Sequence, residues 1–207
     1  MKINTFLSGR MFLTGVLILT FTISCSKDGG DGILIQDHDD SEMMSILHSM
    51  MRSMDSLTMT NDPDIDFAIM MKVHLNGGIA MGNLEMEKGN DPFLVELASQ
   101  MTTQNKKDIV SLDSFLIIRP LIVSDTRYRQ QAETALEIMS NNADLQLLTA
   151  NMDHDFAILL IQHHLGALDL IDLQIQYGVS PDLKIIARKI KINQVKEIQL
   201  LQDWLLE

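Results

Sequence analysis

The sequence predicts an all-α protein: an antiparallel four-helix bundle built from two sequence repeats, each preceded by an additional helix. Three observations predict it. Beyond residue 40, apolar residues recur at spacings of three and four, and no run alternates with the period of two that a half-buried strand requires. Residues 64–118 align on 153–207 without a gap at an offset of 89, with 16 of 55 positions identical. The 207 residues include only 4 Pro and 11 Gly and are 46% hydrophobic, which favours a packed helical domain over disorder.

The N-terminus reads as an address. Lys2 and Arg10 flank or precede an apolar stretch from Met11 to Ile23, about a dozen residues and short for a membrane span. It ends in Thr22-Ile23-Ser24-Cys25, a small residue directly before a lone cysteine, the pattern of a lipobox. Residues 1–24 are therefore expected to be a lipoprotein signal peptide, with Cys25 lipidated as the first mature residue. The alternative is an ordinary secretory signal with an incidental cysteine. Residues 25–40 read as a flexible tether, and 41–207 as the folded domain with repeats 41–118 and 124–207. With its one cysteine spent on lipid, the folded part has no thiol chemistry and is expected in the cell envelope, periplasmic or on the outer membrane.

The helices follow in order. A lead-in helix is expected at about 41–59, and its counterpart at about 124–141. Asp62-Pro63 and Asn151 open the first long helix of each repeat, which runs to Gly89 or Gly178. Those glycines suit the left-handed position just past a helix end. Pro92 and Pro181, three residues on, open the next helix. Its apolar stripe carries Leu94, Ala98 and Leu112 in one copy and Leu183, Ala187 and Leu201 in the other. Two such hairpins bury their stripes best against each other.

Charge and motifs exclude several functions. A net charge of −12 speaks against a nucleic-acid partner, which needs basic surface. One cysteine builds neither a Cys-pair zinc site nor an iron–sulfur cluster. No Glu stands three residues before any His, as a di-iron carboxylate bundle requires. His-Glu-x-x-His, a P-loop, Gly-x-Gly-x-x-Gly and Gly-x-Ser-x-Gly are likewise missing from the sequence.

Three groups of residues remain as candidates. Asp66 and His74 are copied as Asp155 and His163. Eight residues span about 12 Å of helix, so one helix cannot place both on one ion, although His74 and His163 can approach across the repeats. They compete with a plainer role as hydrogen-bonded core residues. His164 is about 100° around the helix from His163, so only one of the two is expected to point along the bundle axis. Gly77 and Gly166 allow close helix approach or room for a ligand. The second group is Met-rich: Met44, His48 and Met51 share one helical stripe, with Met43, Met50 and Met54 beside it. Ten of the 13 methionines after Cys25 fall between 43 and 86. Thioether and imidazole suit a soft ion such as Cu(I), whereas a plain Met stripe fills a core. The third group is Gln194-x-x-Glu197, matched by Asn105-x-x-Asp108, an amide and an acid one turn apart that can orient the histidines or simply face water.

The Asp64-to-His74 run and the run from Asp155-Phe156-Ala157 to His163-His164-Leu165-Gly166-Ala167-Leu168-Asp169 resemble the signature of the bacterial family called domain of unknown function 305. Gln194-x-x-Glu197-Ile198 with Trp204-Leu205 is similar to that family's closing helix. The resemblance covers about 60–207 and implies a ferritin-like architecture, with copper and sometimes silver binding in exported members. Carried over position by position, it nominates Asp66, His74, Asp155, His163, His164, Asp169, Gln194 and Glu197. Repeat one departs from the pattern with Leu75 at the second His and Ala80 at the later Asp. Repeat two is thus the better candidate, with Met70, Met71 and Met81 contributing from repeat one.

The sequence therefore favours a lipid-anchored envelope protein that binds Cu(I), or Ag(I) or Cu(II), for sequestration or buffering and is not an enzyme. The expected metal residues are His74, His163, His164, Asp66, Asp155, Met44, His48, Met51, Met70 and Met71, supported by Asp169, Gln194 and Glu197. The expected partners are a copper ion and, through Cys25, a membrane. The alternative is a metal-free structural or protein-interaction module of the envelope.

Overall fold

The computed structural model describes residues 35–118 and 124–207. The expected signal peptide, Cys25 and most of the tether lie outside the described residues. A short 3₁₀ turn at His38–Asp40 leads into six α-helices: α1 Glu42–Asp55, α2 Pro63–Lys88, α3 Pro92–Ile118, α4 Thr126–Asp144, α5 Met152–Tyr177 and α6 Pro181–Leu205. Among the described residues there is no strand, only an isolated bridge between Gln36 and Leu148. That bridge, with a 2.7 Å hydrogen bond between the His38 ring and the Gln146 carbonyl, fastens the chain from Gln36 onward. The described residues begin within the 25–40 range expected as a tether.

Each helix starts where a short polar side chain accepts from a first-turn amide, because those amides have no partner within the helix. Ser41 accepts from Met44, Asp62 from Asp64, Asp91 from Phe93, Asp125 from Arg127, Asn151 from His154 and Ser180 from Leu183. The offset of the sequence match recurs in the helix bounds. Pro63 and Met152, Lys88 and Tyr177, and Asp55 and Asp144 each stand 89 apart.

α2 packs on α3 and α5 on α6, each pair joined by three residues. α2 and α5 face one another, with α1 laid against α2 and α4 against α5. The two central helices are consequently buried on most sides, which is why they read as almost continuously apolar. α5 is long and apolar enough to cross a membrane, but 61% of its apolar window is covered by the rest of the protein. Phe67 and Phe156 are fully buried at matching positions; burial of such a side chain contributes about 1.5–3 kcal/mol.

Gly89 and Gly178 are not left-handed, contrary to the expectation. Both are extended, at φ −66° and −60°. A Cβ on Gly89 would crowd the Glu85 carbonyl and carboxylate, and one on Gly178 the Gln174 amide, so a larger residue would displace those groups. Those side chains serve the turns. Asp64 accepts from Gln174 Nε2 at 2.7 Å and from the Ser180 amide at 2.9 Å. In the other hairpin Asp153 accepts from the amides of Asn90 and Asp91, at 2.8 and 2.9 Å. Each half of the chain thus clamps the turn of the other.

Left-handed backbone occurs instead at Asn61 and Ala150, φ 66° and 60°, just before α2 and α5. Asp66 and Asp155 hold these turns. The Thr60 amide and hydroxyl donate to Asp66 at 2.7 Å and the Asn61 amide at 2.9 Å. The Thr149 amide, the Thr149 hydroxyl and the Ala150 amide donate to Asp155 at 2.9, 3.1 and 3.1 Å.

Candidate metal centre

α2 presents His74, and α5 presents His163 and His164, at the contact between the two central helices. The His74 and His163 rings stack with centroids 3.7 Å apart and planes 9° from parallel. The His164 centroid lies 5.6 Å from that of His163. One nitrogen of each ring lies within 4.8 Å of the others, and all three rings are buried. The expectation that only one of His163 and His164 turns inward is therefore corrected. α6 packs beside α5, so a ring 100° around from His163 still meets protein: His164 Nε2 is 2.9 Å from Glu197 Oε2.

Burial decides the protonation state. Desolvation, with a smaller contribution from His164, lowers His74 to about 3. His163 is held well below the ordinary imidazole range by desolvation, then by His74 and His164. Both rings are neutral at pH 7, the form that offers a lone pair.

The second helix of each hairpin supports the rings. Gln194 Nε2 donates to His74 Nε2 at 3.2 Å. Asn105 Nδ2 and His163 Nε2 both crowd the space over Gly78, 3.0 and 3.1 Å from where a Cβ would stand. His74 Nδ1, both nitrogens of His163 and His164 Nδ1 have no hydrogen-bond partner among the described residues, and neither does Gln194 Oε1. Buried polar atoms are almost always satisfied, so this concentration fits a cation held at the edges of the rings by their in-plane lone pairs. Turning the Gln194 amide over, a choice that hydrogen bonding alone decides, makes Oε1 accept from His74 Nε2–H and frees the Nδ1 lone pair.

Two thioethers stand beside the histidines. The Met50 side chain from α1 lies over Gly77, and that of Met139 from α4 lies over Gly166, in the space a Cβ would need. Both methionines line a small pocket that His163 also lines. Met139 is isolated in the sequence, but it follows Met50 by the same 89 residues, a signal that was available and unused. Gly78 was also missed; no spacing rule singles it out.

Of the other nominated residues, His48 and Met51 line the same small pocket as His163, and the rest lie elsewhere. Asp66 and Asp155 are engaged with the turns before α2 and α5, so they are not brought to the rings; their pairing with His74 and His163 reflects two separate tasks on one helix. Asp169 is exposed and lines a surface groove with Asp172 and Gln131. His48 Nε2 pairs with Asp144 at 2.9 Å, in a partly exposed contact. Met44, Met71 and Met81 are fully buried in the apolar core, where their flexible chains fill space. Met51 and Met70 border a cavity at the surface.

Fold and site together define a helical protein with a buried cluster of three imidazoles, two of them held neutral by burial. The model of the family described as a domain of unknown function, DUF305, matches residues 64–205, and the chain belongs to that family. Among solved structures, CopM in its Ag-bound form, obtained by soaking, is 20% identical with a TM-score of 0.51, covering 68% of this chain and 93% of that one. A DUF305 fragment from Deinococcus radiodurans is 19% identical with a TM-score of 0.52, covering 69% and 95%. Comparison with curated proteins gives no match.

Proposed function

We propose that this protein binds a soft monovalent metal ion, Cu(I) or Ag(I), as cargo to be sequestered or buffered, and that it is not an enzyme. One observation carries the reading: three buried imidazoles, two of them held neutral, converge with four unpartnered nitrogens. Imidazole and thioether favour copper and silver over harder ions. Glu197 and Gln194 would orient the rings and tune their basicity. The silver held by CopM, a protein of similar fold, agrees with this donor preference. In this reading the helices form a duplicated, ferritin-like, antiparallel four-helix bundle, with α1 and α4 as the lead-in helices. Cys25 carries the lipid that anchors the protein in the cell envelope, where a thiol-free trap would spare thiol and iron–sulfur proteins outside its reach.

Elemental analysis of the mature protein after Ag(I) loading, followed by titration with a competing chelator, tests the proposal. Retention of about one ion against a micromolar competitor is expected; release of all of it rejects metal binding. A second reading, an envelope interaction module, draws on the exposed apolar residues Val110 and Ile117 of α3 and Ile185, Ile192 and Val195 of α6. It gains if the protein holds no ion.

A further inference from the structure

We infer that a second, methionine-lined site at the surface captures a soft monovalent cation and passes it to the buried imidazoles; this rests on the metal-binding reading of that cluster. A cavity of about 410 Å³ opens between α1, the loop after it, α2 and α4, and Met51, Met54, Met59 and Met70 all line it. Met54 and Met70 form the buried wall of this cavity, and Met51 and Met59 are half-buried at its side, so their thioethers border an open space as well as the core. Their sulfurs are neutral and soft, so they select against sodium, magnesium and calcium. Asp55, Glu133 and Glu137 border the same mouth and favour cations, with Arg129 the basic residue of the lining, paired to Glu133 at 2.8 Å.

A second observation links this cavity to the cluster. The imidazoles are 0–1% exposed, so an ion needs a path between helices. The small pocket lined by Met50, Met139 and His163 is also lined by Met51 and Ser140, and these two residues line the open cavity as well. Met51 therefore stands between the surface and the pocket of His163. An ion moving inward exchanges one thioether for the next and then for imidazole. The step is ligand exchange without redox chemistry, and the ion is never left without a donor in a dry interior, where a bare charge is costly.

The test uses the full chain with Ag(I) alone, which does not change oxidation state. Uptake is followed by stopped flow as silver leaves a chromophoric chelator. In a Met54→Leu/Met59→Leu variant, whose residues line the open cavity but not the pocket of His163, uptake should slow about ten-fold. Final stoichiometry and competition affinity should stay within about two-fold, since Met→Leu conserves volume. Uptake at the wild-type rate overturns the capture role. So does lost affinity at an unchanged rate, which would make these thioethers ligands of the imidazole site itself. Labelled methionine methyl groups supply a measurement on the unaltered protein: the signals of Met51, Met54, Met59 and Met70 should move on adding Ag(I), and their invariance overturns the inference. Wild-type protein that takes up no silver at all overturns the proposed function as well, which separates the two failures.

Discussion

The imidazoles of His74 and His163 lie face to face, 3.7 Å between centroids, each contributed by one of the two central helices. Two protonated rings cannot hold that arrangement. Their folded-state pKa values lie below the unfolded value of 6.5, His74 at about 3. The unfolded chain therefore binds more protons through this window. Stability contributed by the neutral rings is present above pH 6.5 and is lost as pH falls toward 3. Thermal melts of the metal-free protein between pH 7 and 4 should show this decline. His74→Gln should flatten it by about one proton, about 1.4 kcal/mol per pH unit.

Glu85 and Gln174 are 89 residues apart and fill matching places, yet they differ by a proton. Gln174 donates an amide hydrogen to Asp64, whereas Glu85 faces Asp153 and can bond it only when protonated. Burial, then the Asp153 hydrogen bond and charge, raises Glu85 to about 8 from 4.5. The sign is opposite to that of the histidines: this contribution is full below pH 4.5 and lost as pH rises through 8. Glu85→Gln should reproduce the Gln174–Asp64 pair and raise the melting temperature at pH 8–9, with little gain at pH 5. Equal gains at both pH values would refute the shared proton.

Asp66→Ala and Asp155→Ala separate folding from binding. Each removes the acceptor for two backbone amides and a hydroxyl, so a loss of about 1–3 kcal/mol is expected from denaturant unfolding. Silver stoichiometry should not change in whatever fraction remains folded.

Gln194→Leu and Glu197→Leu act on ring orientation. Groups of this kind usually change metal affinity 10–100-fold, and a loss of about that size is expected in chelator competition. Unchanged secondary structure by circular dichroism would assign the loss to the site.

Much of the fold was legible because its signals are local. Asp62-Pro63 and Ser180-Pro181 announce helix starts through hydrogen bonds made within a few residues, and the apolar spacing excludes strands. Gly89 and Gly178 were located correctly but for the wrong reason. The local rule invokes left-handed backbone, whereas the actual constraint is a side chain crossing the turn. Asp66 illustrates a deeper ambiguity: a repeated carboxylate serves a cap or a cation equally well, and spacing does not distinguish them. Gly78 acts through a contact between helices far apart in sequence, which periodicity does not encode, whereas Met139 is legible through its 89-residue offset from Met50. His48 stood on the right stripe, but its partner Asp144 comes from α4.

The most direct measurement is the nitrogen spectrum of ¹⁵N-histidine-labelled protein before and after one equivalent of Ag(I). Uptake at the buried cluster predicts that ring nitrogens of His74, His163 and His164 shift, while those of His38 and His154 stay in place. Silver that moves only methionine methyl signals, or leaves all three buried rings unchanged, would contradict it.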